Sequence, residues 1–429
     1  MAHRTLAALL LLGVVLRLAL AAWIPQRLLG DAYHHVMLAH NMLEGHGFSH
    51  SPCEPYYPDI SRPPLMPIAV TLLMMIPVPL ELSVVLFQSL LTVVMALLVY
   101  SRLRKLGGEG YALLAVSILV LNPYWALFSI PALNDVLSTV LLTAVVEVAW
   151  RCTEQVNWRR FALLGVLSAL LSLTKPTMLP FAVVALLLAT GLSRAWRMGA
   201  LAVLCWSLCM VPWAYRNYQV GGRFTPMTVT GFGYAIYIGV TFDQGVFLTR
   251  DGLEAYKEGL IQWSPVLPGG GMEDLPPERV RAVNNELTRV GIQAIKDHPG
   301  RYALHVLNQA WHLWWDASDP LLYAFPRDER VPILVEVARG LQRLVLLLAL
   351  AGLVRRFDLR AMALPLGFLL CLTTAYSLLH VETRYTLPAA PLLSALAAGA
   401  LTRLRPAPEA GSPPDASLPD VPAAPAPAE

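Results

Sequence analysis

Long apolar runs alternate with short polar segments along most of the chain. Ten runs are of spanning or near-spanning length and cover residues 6–24, 82–101, 111–130, 136–150, 161–174, 177–193, 198–214, 333–354, 362–380 and 385–402. A helix needs about 20 apolar residues to cross the hydrocarbon core of a bilayer. The pattern therefore predicts an all-α polytopic membrane protein with about ten transmembrane helices.

A further apolar run, "RPPLMPIAVTLLMMIPVPL" at residues 62–80, has prolines at both ends. Its uninterrupted core is about 12 residues, a length more typical of an interfacial or re-entrant segment, although a short span is the alternative. If this run does not cross and the N-terminus is cytoplasmic, the basic clusters "SRLRK", "NWRR", "SRAWR", "VRRFDLR" and "TRLR" all face the cytoplasm. Because that arrangement follows the positive-inside rule, we predict that residues 62–80 do not cross and that both termini are cytoplasmic.

This topology places two long segments, residues 25–81 and 215–332, on the outer side of the membrane. Both are expected to contain juxtamembrane helices, and the second combines helical apolar spacing with aromatic residues suited to a membrane interface. We predict one transmembrane domain over residues 1–403. The tail at 404–429 is rich in Pro and Ala and is expected to be disordered.

Composition supports a membrane protein, because 56% of the residues are hydrophobic and 14% are charged. The net charge is +3, and Lys and Arg form short clusters between apolar runs, which argues against a nucleic-acid surface. The first run is longer than a signal-peptide core and no small-residue cleavage site follows it, so we expect a retained helix. Of five cysteines, Cys53 alone lies in a polar segment, and no disulfide or zinc framework is visible.

Five charged residues fall at the outer ends of predicted helices, namely Asp31, Asp135, Lys175, Arg216 and Arg384. An ionisable group within a membrane costs about 2.5 to 3.5 kcal/mol on insertion scales, so their recurrence at one depth predicts a shared site. Three cations facing one opening indicate an anionic ligand such as a phosphate. Each residue alone is equally typical of a solvated helix end or a snorkelling side chain.

The two carboxylates are candidates for proton transfer. A carboxylate that is partly desolvated and close to cations can accept a proton from a hydroxyl group, so Asp31 and Asp135 are the candidate catalytic residues. Asp135 directly precedes the run "VLSTVLLTAVV" and could instead cap that helix. The two roles are compatible.

Histidines are frequent in the first outer segment, at positions 34, 35, 40, 46 and 50. His35 would lie one helical turn from Asp31, a spacing that could hold a divalent metal. Histidines in such a loop more often form interfacial hydrogen bonds, and no HExxH signature is present. We predict no cofactor, with a divalent metal as the less favoured alternative.

Several motifs in order along the chain resemble a known enzyme family. They are an Asp after the first helix followed by "NMLEGHGF", then "SRPPLMP", "LNDVLS", "LTKPTMLP", "PWAYRNYQVGGRFTPMTVTGFGYAIYIG", "HPGRYALH" and "VETRYTLPAAPLLSALAA". Together they resemble the bacterial protein-mannosyltransferase-like group of glycosyltransferase family 39, within the GT-C superfamily. The resemblance covers nearly the whole chain apart from the tail.

The resemblance implies a GT-C type helix bundle in the bacterial cytoplasmic membrane that transfers a sugar from a polyprenyl phosphate to an acceptor on the outer side. Asp31 matches the catalytic carboxylate of this family, and Asp135 lies where a second acidic residue is often found. Lys175 and Arg384 resemble the residues that hold the lipid phosphate in related aminoarabinose transferases. Asp31 is followed by Ala32, where eukaryotic protein mannosyltransferases carry Asp-Glu, so neither mannose nor a protein acceptor is implied.

Residues within or beside these motifs complete the set of site candidates. Arg216 is a third candidate for the donor phosphate, and the candidates for further substrate contacts are Tyr33, His35, Arg62, Glu382 and Tyr385. A lipid phosphate is a good leaving group, so the reaction needs cations on the phosphate and one base, for which Asp31 is the candidate, in a single displacement with inversion.

A membrane transporter or lipid flippase is the alternative function. Transporters usually show internal repeats and charged or broken helices near the bilayer midplane. No convincing repeat relates the two halves of this chain, and its polar groups collect at the outer edge. The partners that we expect are therefore a polyprenyl-phosphate sugar, an unidentified acceptor and membrane lipids.

Overall fold

The computed structural model describes residues 2–24, 30–241, 275–315, 330–355 and 359–402. Within these ranges the regular structure consists of α-helices and short 3₁₀ helices, without a β-strand. The predicted all-α class is thus confirmed for the described part of the chain. The tail at 404–429 and much of the second outer segment, at 242–274 and 316–329, lie outside the described residues.

The helices are numbered here in chain order. Those before the second outer segment are α1 (Ala2–Trp23), α2 (Gly30–Leu43), α3 (Leu65–Met74), α4 (Leu80–Gly107), α5 (Glu109–Leu121), α6 (Pro123–Leu127), α7 (Asp135–Glu154), α8 (Trp158–Thr174), α9 (Leu179–Ser193) and α10 (Trp196–Gly221). Those that follow are α11 (Phe232–Thr241), α12 (Pro277–Asp297), α13 (Pro299–Trp315), α14 (Arg330–Arg355), α15 (Leu359–Ser377) and α16 (Ala390–Leu401). Two 3₁₀ helices cover Pro176–Met178 and Thr383–Ala389.

Each of the ten predicted apolar runs contains a helix. Among the described residues, six helices are long and apolar enough to cross a membrane, at Ala2–Trp23, Leu80–Gly107, Asp135–Glu154, Pro176–Ser193, Trp196–Gly221 and Val331–Arg355. Shorter apolar helices cover Leu65–Met74, Glu109–Leu121 and Pro365–Ser377. The chain is a multi-pass membrane protein, as predicted.

The proline-bounded run at 62–80 forms the short helix α3. With 10 residues and a rise of about 1.5 Å per residue, α3 is roughly half as long as the hydrocarbon core is thick. The length of α3 favours the interfacial or re-entrant interpretation over a short span.

Helix α7 lies at the centre of the bundle and carries Asp135 at its first position. It packs against α4, α8, α9 and the 3₁₀ helix Thr383–Ala389. Helices α8 and α10 approach closely because Gly165 has no side chain, and a Cβ there would overlap the carbonyl oxygen of Ala202. Close packing around α7 fixes the position of the residues at its N-terminal end.

The outer surface of the bundle is apolar where lipid would cover it. Along α14, large side chains are exposed on one face, at Ile333, Val337, Leu341, Leu344 and Leu347. A continuous apolar stripe of this kind is typical of a helix face that contacts a membrane.

One arginine lies inside the bundle. Arg17 of α1 is 2% exposed, and its guanidinium donates hydrogen bonds to the carbonyl oxygens of Gly13 and Val120, both at 2.9 Å, and to Ser129 Oγ at 3.3 Å. Hydrogen bonding of this kind offsets the cost of burying a polar group. Arg17 thereby joins α1 to α5 and to the segment before α7.

Candidate active site

Four of the five charged residues that the sequence groups at helix ends meet in one place. Asp31 is in the first turn of α2 and Asp135 begins α7. Lys175 links α8 to the 3₁₀ helix Pro176–Met178, and Arg384 is in the 3₁₀ helix Thr383–Ala389. All four positions are ends of helices or the short links between them. The residues meet because polar residues that end apolar runs lie at one level of the bundle.

Arg384 is at the centre of this group. Its Nη2 lies 2.8 Å from Asp31 Oδ2, although the two residues are 353 positions apart in the sequence. Its Nη1 lies 3.5 Å from Asp135 Oδ2, and its Nε donates to Glu382 Oε2. One guanidinium therefore contacts three carboxylates.

Lys175 forms the second cationic centre. Its Nζ lies 2.8 Å from Oδ1 of Asp135, whose side chain is 0% exposed. Asp135 thus bridges Lys175 and Arg384 with its two oxygens. The alternative role of Asp135 as a helix cap is wrong, because Asn134 occupies the N-cap position of α7 and the Asp135 carboxylate is engaged by the two cations.

Glu382 contacts Arg384 from the opposite direction. Its Oε1 lies 3.3 Å from Nε2 of His380. Burial opposes ionisation of Glu382, but the charges of Arg384 and His380 outweigh it and lower the pKa of Glu382 to about 2. Glu382 is thus a fixed anion that orients the guanidinium. We call Asp31, Asp135, Lys175, Glu382 and Arg384 the Arg384 cluster.

Two tyrosines form an aromatic wall beside Lys175. The Tyr385 ring stacks on the Tyr376 ring with centroids 4.4 Å apart, and Nζ of Lys175 lies 4.3 Å from the Tyr385 centroid. The Tyr376 hydroxyl lies 2.9 Å from Oγ1 of Thr177, in the 3₁₀ helix that follows Lys175. The wall holds the ammonium by cation–π contact and anchors the turn that carries it.

Among the three carboxylates of the cluster, Asp31 is the most accessible. Its side chain is 43% exposed, compared with 17% for Glu382 and 0% for Asp135. Loss of solvent raises the pKa of Asp31, but the positive charges of Arg384 and Arg62 lower it by more, so the net pKa is below the usual value. Asp31 is therefore ionised and open to solvent at neutral pH.

Two other candidate site residues, His35 and Tyr33, lie in α2. The buried ring of His35 donates from Nδ1 to the carbonyl oxygen of Ala132 at 2.8 Å, and burial lowers its pKa, so it is neutral. Tyr33 packs edge-to-face against His34 with ring centroids 5.6 Å apart. Within the described part of the chain, no three His, Cys, Asp or Glu side chains gather as metal ligands.

Arg216, predicted as the third cation, lies in a different group of residues. Its Nη1 donates to the backbone oxygen of Asp59 at 2.6 Å, and its guanidinium packs on the rings of Phe48 and Trp213. Arg216 ends up there because α10 continues to Gly221, so its charge lies within the last turns of the helix and against the first outer segment.

The Asp59 side chain is a second buried anion. Its Oδ2 lies 3.1 Å from Nδ1 of His50 and 3.3 Å from Nη1 of Arg62. Its Oδ1 accepts hydrogen bonds from the backbone amides of Ser61 and Arg62, both at 2.8 Å. We call His50, Asp59, Arg62 and Arg216 the Asp59 cluster. Arg62, predicted to contact substrate, is thus held mainly by Asp59, although its charge also acts on Asp31.

Sequence reasoning missed Tyr376, His380 and Asp59. Tyr376 lies at the outer end of the predicted run 362–380, at the level of the charged residues, and that position was the available signal. His380 lies four residues before Arg384. For Asp59 the sequence shows only an acidic residue in a proline-rich segment, and its partners come from packing.

Comparison with known proteins places part of this chain in context. The model of the family described as dolichyl-phosphate-mannose-protein mannosyltransferase matches residues 61–215, a range that includes Arg62, Asp135 and Lys175. No curated protein matches the chain.

Among solved structures, the chain matches a crystal structure of ArnT from Cupriavidus metallidurans bound to undecaprenyl phosphate. The identity is 13% and the TM-score is 0.39, over 90% of this chain and 77% of ArnT. That likeness is too low to carry an argument about this site. The family match is the stronger finding: over residues 61–215 the chain is similar to the dolichyl-phosphate-mannose-protein mannosyltransferase family, which confirms the family resemblance that its motifs predict.

Proposed function

We propose that this protein is an integral membrane glycosyltransferase of the GT-C type. It moves a sugar from a polyprenyl phosphate to an acceptor hydroxyl on the outer side of the bacterial cytoplasmic membrane, with inversion at the anomeric carbon. The observation that supports this most is the Arg384 cluster, in which an accessible carboxylate, Asp31, lies beside two cations. The name of the matching family, which describes a dolichyl phosphate sugar as donor, supports a lipid phosphate here.

Lys175 and Arg384 bind the donor phosphate in this proposal. Cations that are fixed before the reaction stabilise the charge that develops on the departing phosphate. Asp135 and the tyrosine wall hold Lys175, and Glu382 holds Arg384. Because a phosphate leaves readily as an anion, no general acid is needed.

Asp31 acts as the general base. The acceptor oxygen attacks the anomeric carbon from the face opposite the phosphate, and its proton passes to the Asp31 carboxylate. The bond between the anomeric carbon and the phosphate oxygen breaks, and polyprenyl phosphate leaves with the electron pair. Asp135 is too deeply buried to reach an acceptor, since its side chain is 0% exposed. We therefore assign Asp135 to positioning, in place of the catalytic role expected from the sequence.

Substitution of Asp31 by Asn tests the proposal. Purified full-length protein is incubated with a panel of polyprenyl phosphosugars, and release of polyprenyl phosphate is measured by mass spectrometry. We expect the wild type to release it and Asp31→Asn to lose at least about 100-fold in rate, the usual contribution of a general base. Retention of most activity by Asp31→Asn would refute the base assignment.

Glu44→Gln provides the matched control. Glu44 follows the end of α2 and is 48% exposed, and its carboxylate oxygens lie 3.1 Å from His40 Nε2 and 3.6 Å from His46 Nδ1. The substitution removes one negative charge from the same outer segment without touching Arg384, so the rate should stay close to that of the wild type.

The transporter alternative makes a different prediction for the protein reconstituted into liposomes with the same phosphosugars. A flippase would move the intact polyprenyl phosphosugar between leaflets without releasing polyprenyl phosphate. Movement without any covalent change would therefore contradict the glycosyltransferase assignment.

A further inference from the structure

Carboxylates already occupy the two cations of the Arg384 cluster. Arg384 contacts Asp31, Asp135 and Glu382, and Lys175 contacts Asp135. Three carboxylates against two cations leave a formal charge of −1 for the cluster. A phosphate that approaches Arg384 must therefore compete with the carboxylates that already occupy its guanidinium.

The three carboxylates are not held equally. Asp135 is fully buried and bound by both cations, and Glu382 is bound by Arg384 and His380. Among the described residues, Arg384 is the hydrogen-bonding partner found for the Asp31 carboxylate, which is also the most exposed of the three. Moving the Asp31 carboxylate away from Arg384 changes its solvation little, since the carboxylate is already in contact with solvent.

We propose that Asp31 holds the place of the donor phosphate on Arg384 and that the phosphate displaces it on binding. This inference rests on the proposed function and adds a coupling between binding of the donor phosphate and activation of the Asp31 base. One oxyanion replaces another on the same guanidinium nitrogen. Asp135 and Glu382 stay in place and keep Lys175 and Arg384 oriented during the exchange.

The exchange removes a difficulty in the role of Asp31. A carboxylate paired with arginine is a weak base, because the cation stabilises its ionised form. Once the phosphate has taken Arg384, the Asp31 carboxylate regains its basicity beside the reacting carbon. The base is therefore activated by arrival of the donor.

Direct binding of polyprenyl phosphate without a sugar tests this exchange. The dissociation constant is measured for the full-length protein in detergent micelles. If Asp31 competes with the phosphate, Asp31→Asn should bind about 1.5- to 5-fold more tightly than the wild type, the range for a partly exposed ion pair, while losing transfer activity. Equal or weaker binding by Asp31→Asn would overturn the proposal.

A double-mutant comparison shows whether the effect passes through Arg384. Arg384→Gln should weaken binding, and adding Asp31→Asn to it should bring no further gain. A gain that persists without Arg384 would mean that Asp31 acts by general repulsion and would also overturn the exchange. Glu44→Gln, with the same change in net charge, should bind like the wild type.

Two further measurements separate misfolding and failure of the proposed function from failure of the exchange. Unfolding temperatures are measured for every variant, and Asp31→Ser supplies a second neutral side chain, which should also bind more tightly. If the wild type neither binds polyprenyl phosphate nor transfers sugar, the proposed function is wrong. If the wild type binds and transfers but Asp31→Asn does not bind more tightly, only the proposed exchange between Asp31 and the phosphate is wrong.

Discussion

Tyr376 stacks on Tyr385 with ring centroids 4.4 Å apart and planes 17° from parallel. The stack is part of the support for Lys175, whose ammonium lies 4.3 Å from one ring centre and 5.5 Å from the other. A cation over an aromatic face is held electrostatically without losing its ability to bind an anion. In the proposed function, the pair therefore positions Lys175 for a phosphate, which a second carboxylate beside Lys175 would repel.

Replacing the ring of Tyr385 should weaken donor binding. A desolvated cation–π contact contributes about 0.5 to 2 kcal/mol, so Tyr385→Leu should raise the dissociation constant for polyprenyl phosphate by about 2- to 30-fold. Tyr385→Phe keeps the aromatic face beside Lys175 and should bind nearly like the wild type. Equal affinity in the Leu and Phe variants would show that the ring does not position Lys175.

The sequence predicted the members of the site better than it predicted their contacts. Asp31, Asp135, Lys175 and Arg384 could be grouped because each follows or precedes an apolar run, and bilayer thickness brings such positions to common levels. Which helix ends are neighbours depends on packing around α7. The pairing of Arg384 with Asp31, which are 353 positions apart, could therefore not be predicted from the sequence.

Arg216 shows that a position at a helix end does not by itself predict membership of the site. The sequence groups it with the other cations at a helix end, but its guanidinium packs on Phe48 of the first outer segment and on Trp213 of α10. The helices themselves were predictable because each apolar run is long and polar residues bound it. Side-chain direction at a helix end is set by the last turn and by its neighbours, which the hydrophobic pattern does not encode.

Breaking the ion pair between Asp135 and Lys175 should destabilise the bundle. Removing one partner of a buried pair leaves an uncompensated charge and costs about 3 to 5 kcal/mol. Asp135→Asn should cost more than Lys175→Met, because in the Met variant Arg384 still faces the remaining carboxylate. The measurement is the free energy of unfolding in mixed lipid and detergent micelles.

The double variant is the control for this pair. Asp135→Asn combined with Lys175→Met should be less destabilised than the sum of the single variants by about 1 to 3 kcal/mol, since neither charge is then left alone. Additive costs would mean that the 2.8 Å contact between the two side chains contributes little.

Glu382 should make stability depend on acid pH. Its folded-state pKa is lowered to about 2, below the value of about 4.3 in an unfolded chain. The stabilisation is therefore fully present above about pH 5 and lost as pH falls toward 2. In unfolding temperatures measured from pH 7 to 3, Glu382→Gln should be less stable than the wild type at pH 7, and the difference should shrink toward pH 3.

An exposed glutamate serves for comparison in the same titration. Glu286 pairs with Arg289 on the surface of α12, and Glu286→Gln should change stability little at any pH, because exposed pairs contribute less than about 1 kcal/mol. If the difference in unfolding temperature between the wild type and Glu382→Gln stayed constant across the pH range, ionisation of Glu382 could not be its cause.

The Asp59 cluster should stabilise the backbone conformation of the first outer segment. Asp59→Asn keeps an oxygen for the backbone amides of Ser61 and Arg62 but loses the charge that faces His50 and the Arg62 guanidinium. Hydrogen exchange measured by mass spectrometry should become faster over residues 44–62, and also over 225–231, because Ile60 O accepts hydrogen bonds from the amides of Val229 and Thr230. Asp297→Asn, at the end of α12, should leave both segments unchanged. Unchanged exchange in Asp59→Asn would show that the backbone bonds alone hold the segment.

The predicted orientation can be tested with a cysteine that the chain already contains. Cys53 is exposed in the first outer segment, and it can be left as the single thiol by replacing Cys152, Cys205, Cys209 and Cys371 with Ala. A membrane-impermeant maleimide applied to intact spheroplasts should label Cys53 without lysis. The physical reason is the positive-inside rule. Arg151, Arg159 and Arg160 flank the link between α7 and α8, at the end of α7 that is opposite to Asp135, and basic residues favour the cytoplasmic side.

A thiol on the other side of the bundle completes the orientation experiment. Gln155→Cys, in the exposed link between α7 and α8, should react only after the membrane is broken when Cys53 is replaced by Ala together with the other four cysteines. Because Asp135 begins α7 and Gln155 directly follows its last residue, labelling of Cys53 and of Gln155→Cys determines which side of the membrane the Arg384 cluster faces. Labelling of Gln155→Cys and protection of Cys53 in intact spheroplasts would place the cluster at the cytoplasmic face and exclude transfer on the outer side.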